Sequence, residues 1–166
     1  KLCVTENGSC VLLKLEQFNP TGTAKIRMAR QMLDEAQASG QLKPGGRIVE
    51  STSGNTGLGL ALLAAERGYR FTAVVDEHAS PDKLRAMQAF GAQLVRVGDP
   101  GGGLSTADRD ATAERIATEQ GAYWTRQHHN PANANGYTQL AAELRAVLGD
   151  EIHYLVGAVG TGGSLC

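Results

Sequence analysis

Arg47-Ile48-Val49-Glu50-Ser51-Thr52-Ser53-Gly54-Asn55-Thr56-Gly57 runs from a short apolar strand, through a loop of hydroxyls and glycines, into a helix. Residues 47–50 carry the branched apolar pair of a buried strand. From Ser53 the pattern turns helical and continues to Arg67, where Gly68 closes it. The same unit recurs outward in both directions. Downstream, 71–75 reads as a strand, and Ser80-Pro81 starts a helix, with Ser as N-cap and Pro at the first helical position, that Gly91 ends. A strand at 94–97, a polar helix at 108–120, a brief strand at 122–124 and a helix at 135–148 stopped by Gly149 follow. Residues 152–159 form an apolar run expected to be a strand feeding a last glycine loop. Upstream, 10–15 reads as a buried strand, and Asn19-Pro20-Thr21-Gly22 breaks the chain. Thr23 can cap a helix to about Ser39, with Ile26, Ala29, Met32, Leu33 and Ala36 at helical spacing and Gly40 at its end. Strand and helix alternate throughout, which predicts an α/β fold of three layers, mostly parallel sheets covered by helices.

Composition narrows the function classes. The chain has 166 residues, enough for a packed core, and 42% are hydrophobic. Lys and Arg total 16 against 17 acidic residues, so nothing points to nucleic acid or an anionic membrane as partner. The apolar run near 58–65 is too short to span a bilayer, and no signal peptide is legible, so a cytoplasmic location is expected. Three cysteines without CxxC spacing suggest reduced thiols, although Cys3 and Cys10 could close a hairpin disulfide. Residue 1 is not Met and the chain stops at Cys166, just after a glycine loop that ordinarily opens a helix, so a fragment is expected.

In parallel sheets ligands sit beyond the carboxyl ends of the strands. Four such segments carry small or polar residues, 19–25, 51–57, 127–133 and 160–164, and could surround one cleft. Lys25 lies in the first turn of its helix, where a cation is disfavoured; it is either a solvated surface lysine or an amine whose pKa is lowered for Schiff-base chemistry. Thr52, Ser53 and Thr56, with the N–H groups of a helix start, could hold a carboxylate; an ordinary N-cap would need only one of these hydroxyls. Gly160-Thr161-Gly162-Gly163-Ser164 lacks the lysine of a nucleoside triphosphate loop, yet it is a usable phosphate cradle or a plain turn. Pro100-Gly101-Gly102-Gly103 reads as a surface loop. His128 and His129 are adjacent and point apart in an extended segment, and no HExxH or paired Cys/His set occurs, so no metal is expected. No GxSxG elbow supports a hydrolase triad.

Taken together and in order, these loops resemble the cysteine synthase and cystathionine β-synthase family, the fold type II enzymes of pyridoxal 5′-phosphate (PLP). Lys14-Leu15-Glu16-Gln17-Phe18-Asn19-Pro20-Thr21-Gly22-Thr23-Ala24-Lys25 is similar to the family's lysine motif, and Thr52-Ser53-Gly54-Asn55-Thr56-Gly57 to its substrate-carboxylate loop. Gln127-His128-His129-Asn130-Pro131-Ala132-Asn133 looks like its glutamine segment, and Gly160 to Ser164 like its phosphate loop. The resemblance implies a tryptophan synthase β-subunit-like fold with PLP as cofactor and an incomplete second domain. It assigns 19–132 to the smaller domain, and 1–18 with 133–166 to part of the larger, phosphate-binding one. It implies that Lys25 carries the cofactor and moves protons at the substrate α-carbon, and that Asn55 bonds the cofactor's 3′-oxygen. Thr52, Ser53, Gly54, Thr56 and Gln127 would bind the substrate carboxylate, and Gly160, Thr161, Gly162, Gly163 and Ser164 the phosphate. The implied reaction is β-replacement on O-acetylserine or O-phosphoserine through an aminoacrylate, with sulfide giving cysteine. An amine nucleophile, a serine or threonine dehydratase, or an inactive fragment are the alternatives. A small amino acid is the implied substrate and a homodimer the implied assembly. One departure stands out: Ile26 follows the lysine where this branch usually has Asp, which removes an expected acidic partner for Arg27.

Overall fold

The computed structural model describes residues 2–3, 10–52, 54–98, 106–149 and 151–165. Its centre is a four-stranded parallel sheet built from β3 (Arg47–Ser51), β4 (Arg70–Val75), β5 (Gln93–Arg96) and β6 (Tyr123–Trp124), in the order β5-β4-β3-β6. Register is set by Ile48 opposite Phe71 and Tyr123, and by Val74 opposite Val95. A separate antiparallel pair, β1 (Leu2–Cys3) and β2 (Cys10–Val11), precedes it.

Side chains alternate across the strands and so choose which helix they meet. Ile48, Phe71, Ala73 and Val75 face α1 (Lys25–Ala38), α2 (Asn55–Arg67) and α3 (Pro81–Ala89), in one core with Leu33, Leu60, Leu84 and Met87. Val49 and Val74 face the other way, onto Ala113 and Ile116 of α4 (Thr106–Gln120). This is the expected three-layer α/β arrangement. The buried Asp76–Arg109 ion pair, 3.0 Å, also ties the end of β4 to α4.

Helix ends follow the local chemistry. Gly68 takes φ +73° as the cap of α2, where a Cβ would strain the left-handed conformation. Pro81 starts α3 as expected, but the Ser80 side chain makes no capping hydrogen bond. Thr23 Oγ1 accepts from the Lys25 N–H at 2.9 Å, so the hydroxyl serves the start of α1 although Ala24 occupies the cap position. Helix α1 buries two stripes rather than one. Ala29, Leu33 and Ala36 meet the main core, while Met28 and Met32 pack with Ala132 and Tyr137.

Three expected elements differ. Among the described residues the 10–15 run pairs at Cys10–Val11 alone, and Leu12 and Leu13 stand exposed. Residues 152–159 form no strand: Tyr154, Leu155, Val156 and Val159 are exposed, and among the described residues no strand lies beside them. An apolar run becomes a strand only when neighbours satisfy its backbone and cover its faces. The helix expected over 135–148 is instead α5 (Ala132–Asn135) and α6 (Thr138–Leu148). The break falls at Gly136, whose hydrogen-only Cα lies so close to α1 that a Cβ there would come within 2.6 Å of Met28 Cα. Ser53, the 100–103 loop and Cys166 lie outside the described residues.

Candidate active site

The carboxyl ends of β3 and β6 lie side by side, and their loops form one hydrogen-bonded unit. Thr52 Oγ1 accepts from the N–H groups of Gly54 (3.3 Å) and Gly57 (3.1 Å), tying the loop to the first turn of α2. Gly57 is required by space, since a Cβ would come within 2.6 Å of Thr52 Cγ2 and 2.7 Å of Met87 Sδ. The Thr56 hydroxyl donates to Gln127 Oε1 at 2.7 Å. Gln127 Nε2 donates to the Ser51 carbonyl (3.0 Å) and to Glu50 Oε1 (3.3 Å). The Lys83 Nζ would stand 3.4 Å from a Cβ on Gly54, so an ammonium lies over the same loop.

The glycine loop joins through Asn133. Its Nδ2 donates to the Gln127 carbonyl at 2.7 Å and to Thr161 Oγ1 at 2.8 Å, and its Oδ1 is buried without a partner. Gly163 sits against that amide so closely that a Cβ would come within 2.2 Å of Asn133 Oδ1. Gly162 has φ +84°, and the loop closes with the Leu165 N–H on the Gly162 carbonyl at 3.0 Å. Of the residues singled out by sequence, Thr52, Gly54, Thr56, Gln127 and Thr161 are thus joined, with Gly163 packed beside them. Asn55 opens α2 next to them, Gly160 is exposed and Ser164 is half-buried.

Lys25 is the first residue of α1. Gly59 lets the two helices approach, its missing Cβ lying 3.4 Å from Ile26 Cα, which sets the first turn of α1 against α2. The Lys25 amine is half-buried, and burial lowers its pKa from the ordinary lysine value. That is the direction a carbonyl-trapping amine needs.

Arg27 does not lack acidic partners despite Ile26. Glu16 meets it at 2.7 and 3.0 Å, and Glu143 at 3.0 and 2.9 Å, while Lys14 bonds both carboxylates. Ile26 packs against the main core instead. The Glu16 carboxyl is raised by burial, but hydrogen bonds from Arg27, Lys14 and Asn19 outweigh this and bring it to about 2. A depressed carboxylate stabilises the fold fully above its unfolded pKa, and loses that contribution as pH falls through the folded value. Stability of the full-length protein is therefore expected to drop on acidification from about pH 5 toward 2. Glu16→Gln should lower stability at neutral pH and flatten that acid limb; an unchanged limb in urea titrations would mean Glu16 is not so held.

The sequence assigns no role to Glu50, Thr125 or Lys83, and Asn133 enters it only as the end of the 127–133 segment. Glu50 reads in the sequence only as the end of the 47–50 strand, and the pairing of β3 beside β6 is what brings it onto Thr125. Among the described residues no three His, Cys, Asp or Glu side chains are grouped to hold a metal, and no helix is long and apolar enough to cross a membrane.

Fold and loops together define an α/β protein whose candidate site lies beyond the carboxyl ends of a parallel sheet and holds two glycine-bearing loops, with a half-buried lysine opening the helix packed on α2. The family model for pyridoxal-phosphate dependent enzymes matches residues 3–166, and the chain belongs to that family. A Sinorhizobium fredii protein provisionally named cysteine synthase is 49% identical over 98% of this chain and 49% of its own length. Cysteine synthase B of Escherichia coli is 38% identical, over 96% of this chain and 52% of that protein. The crystal structure of O-ureido-L-serine synthase superposes with a TM-score of 0.84 at 38% identity, covering 92% of this chain and 48% of that one. The chain spans about half the length of the curated relatives it matches.

Proposed function

We propose that the full-length protein uses PLP to replace the β-substituent of an activated L-serine, O-acetylserine or O-phosphoserine, with sulfide, giving cysteine. The observation that carries this reading is the hydrogen-bonded path from Thr56 through Gln127 and Asn133 to Thr161, which joins the proposed carboxylate loop to the proposed phosphate loop. The residues present fit the cofactor. Lys25 offers an amine of lowered pKa, Gly160, Thr161, Gly162, Gly163 and Ser164 offer backbone donors and hydroxyls that would hold a phosphate, and Asn55, the first residue of α2, offers an amide that would bond the cofactor's 3′-oxygen. Bound PLP supplies the electron sink that lets the α-proton and then the β-substituent leave. Lys25 takes and returns the proton at the α-carbon. The 52–54 loop and the N–H groups at the start of α2 set the substrate carboxylate, Thr56 and Gln127 brace that loop through their mutual hydrogen bond, and the Lys83 ammonium adds positive charge over it.

In this reading residues 19–132 are the smaller domain, and 1–18 with 133–166 belong to the larger one. Sulfide is preferred over an amine or other nucleophile because of the named cysteine synthases among the relatives, including the one at 49% identity. The relative named O-ureido-L-serine synthase supports the alternative, a nucleophile other than sulfide on the same serine framework. The test is product analysis on the full-length protein with PLP and O-acetylserine or O-phosphoserine. Cysteine formed only when sulfide is present is expected. Ammonia and a keto acid, with sulfide making no difference, would overturn β-replacement in favour of elimination.

A further inference from the structure

Glu50 takes no part in the chemistry just described, yet it is 1% exposed and sits one residue before the loop that carries it. A carboxyl so deep is costly unless its oxygens are used. Oε2 accepts from the Thr125 hydroxyl and, at 3.4 Å, from the Gln127 main-chain N–H; Oε1 accepts from Gln127 Nε2 at 3.3 Å. The second Nε2 hydrogen goes to the Ser51 carbonyl at 3.0 Å. The polarities at Gln127 are forced, because the Ser51 carbonyl can only accept and the Gln127 main-chain N–H can only donate. With both its hydrogens on β3, the Gln127 amide must turn its oxygen to Thr56, whose hydroxyl then spends its proton there at 2.7 Å.

We propose that Glu50 is a positioning residue for substrate recognition: by accepting from both nitrogens of Gln127 it fixes the sense of that amide, and through Thr56 it holds the start of α2 in the orientation that receives the substrate carboxylate. This rests on the reading that the 52–57 loop takes that carboxylate. A glutamine at position 50 keeps the volume but places an NH2 against one of the Gln127 donors. Turning the Gln127 amide over to relieve the clash at Oε1 would set its oxygen against the Ser51 carbonyl, so no flip satisfies every partner.

The test uses the full-length protein with PLP, comparing L-serine with ethanolamine, the same amine without the carboxylate, by the change each makes in cofactor absorbance. In Glu50→Gln the dissociation constant for L-serine is expected to rise roughly tenfold or more while that for ethanolamine stays close to wild type. In the cofactor-free protein, the Gln127 side-chain amide hydrogens are expected to exchange slowly in the wild type and fast in the variant. Should Glu50→Gln fail to fold, Glu50→Asp keeps a carboxylate but withdraws it from Nε2, and should show the same selective loss in smaller measure. Wild-type discrimination with slow exchange in a folded variant would overturn the proposal. An equal loss for both ligands would also overturn it, since that marks a merely structural residue. A wild-type protein indifferent to the carboxylate would instead sink the reading of the 52–57 loop, and amide exchange would then judge Glu50 by itself.

Discussion

Lys25→Ala in the full-length protein is expected to lower turnover by roughly 10³-fold or more, the scale seen when a covalent and proton-moving group is removed together. The position of the residue gives the reason. Its amine lies half inside the protein at the first turn of α1, with the helix start packed on α2 across Gly59. Burial disfavours the ammonium form, so more of the amine is free to bond a carbonyl at neutral pH. A companion measurement does not depend on turnover. Borohydride reduction of the wild type with PLP present, followed by peptide mapping, should leave a pyridoxyl mass on the peptide containing Lys25. The Ala variant should show none. A label at Lys83 or Lys14 in the wild type, with Lys25 unmodified, would move the cofactor elsewhere and undo the site as drawn.

Gly136→Ala should cost about 3 kcal/mol of stability, the upper end of what overpacking a filled site usually does. The added methyl would meet main-chain atoms, coming within 2.6 Å of Met28 Cα, 3.0 Å of Arg27 O and 3.0 Å of Met28 N. Those atoms belong to the first turns of α1 and cannot rotate away as a side-chain tip could. Alanine's better helix propensity returns only about 1 kcal/mol and does not change the sign. The strain falls on the helix that carries Lys25, so cofactor labelling of the folded variant should weaken as well. An unchanged urea midpoint would mean that the chain at Gly136 does not rest on α1 in the full-length protein.

Much of the architecture was legible before any coordinates. Strands with alternating or continuous apolar residues and helices with Gly beyond their ends are written in short windows, because those preferences act over one or two turns of chain. The helices at α1 to α4 and the strands at β3 to β6 fall within a few residues of where their patterns put them. Residues 152–159 failed for the opposite reason. Their apolar pattern states what the segment would bury, but whether it becomes a strand depends on neighbours that no local pattern encodes. The break at Gly136 was equally invisible, since a glycine in a helical pattern does not say which backbone crosses it.

The candidate site divides the same way. The sequence by itself determined the α/β class, the four loops and their residue types, because hydroxyls, glycines and a lysine at helix starts carry their chemistry locally. Only the tertiary structure decided which of those groups touch. Pairing β6 beside β3 brought Gln127 onto Thr56 and buried Glu50 beneath it, and Asn133 bound Thr161 across 28 residues of chain. It also gave Arg27 its acids from Glu16 and Glu143, neither of them adjacent in sequence. Contacts between distant segments depend on strand order and helix packing, and these are set by burying the whole core at once rather than by any one stretch of the chain.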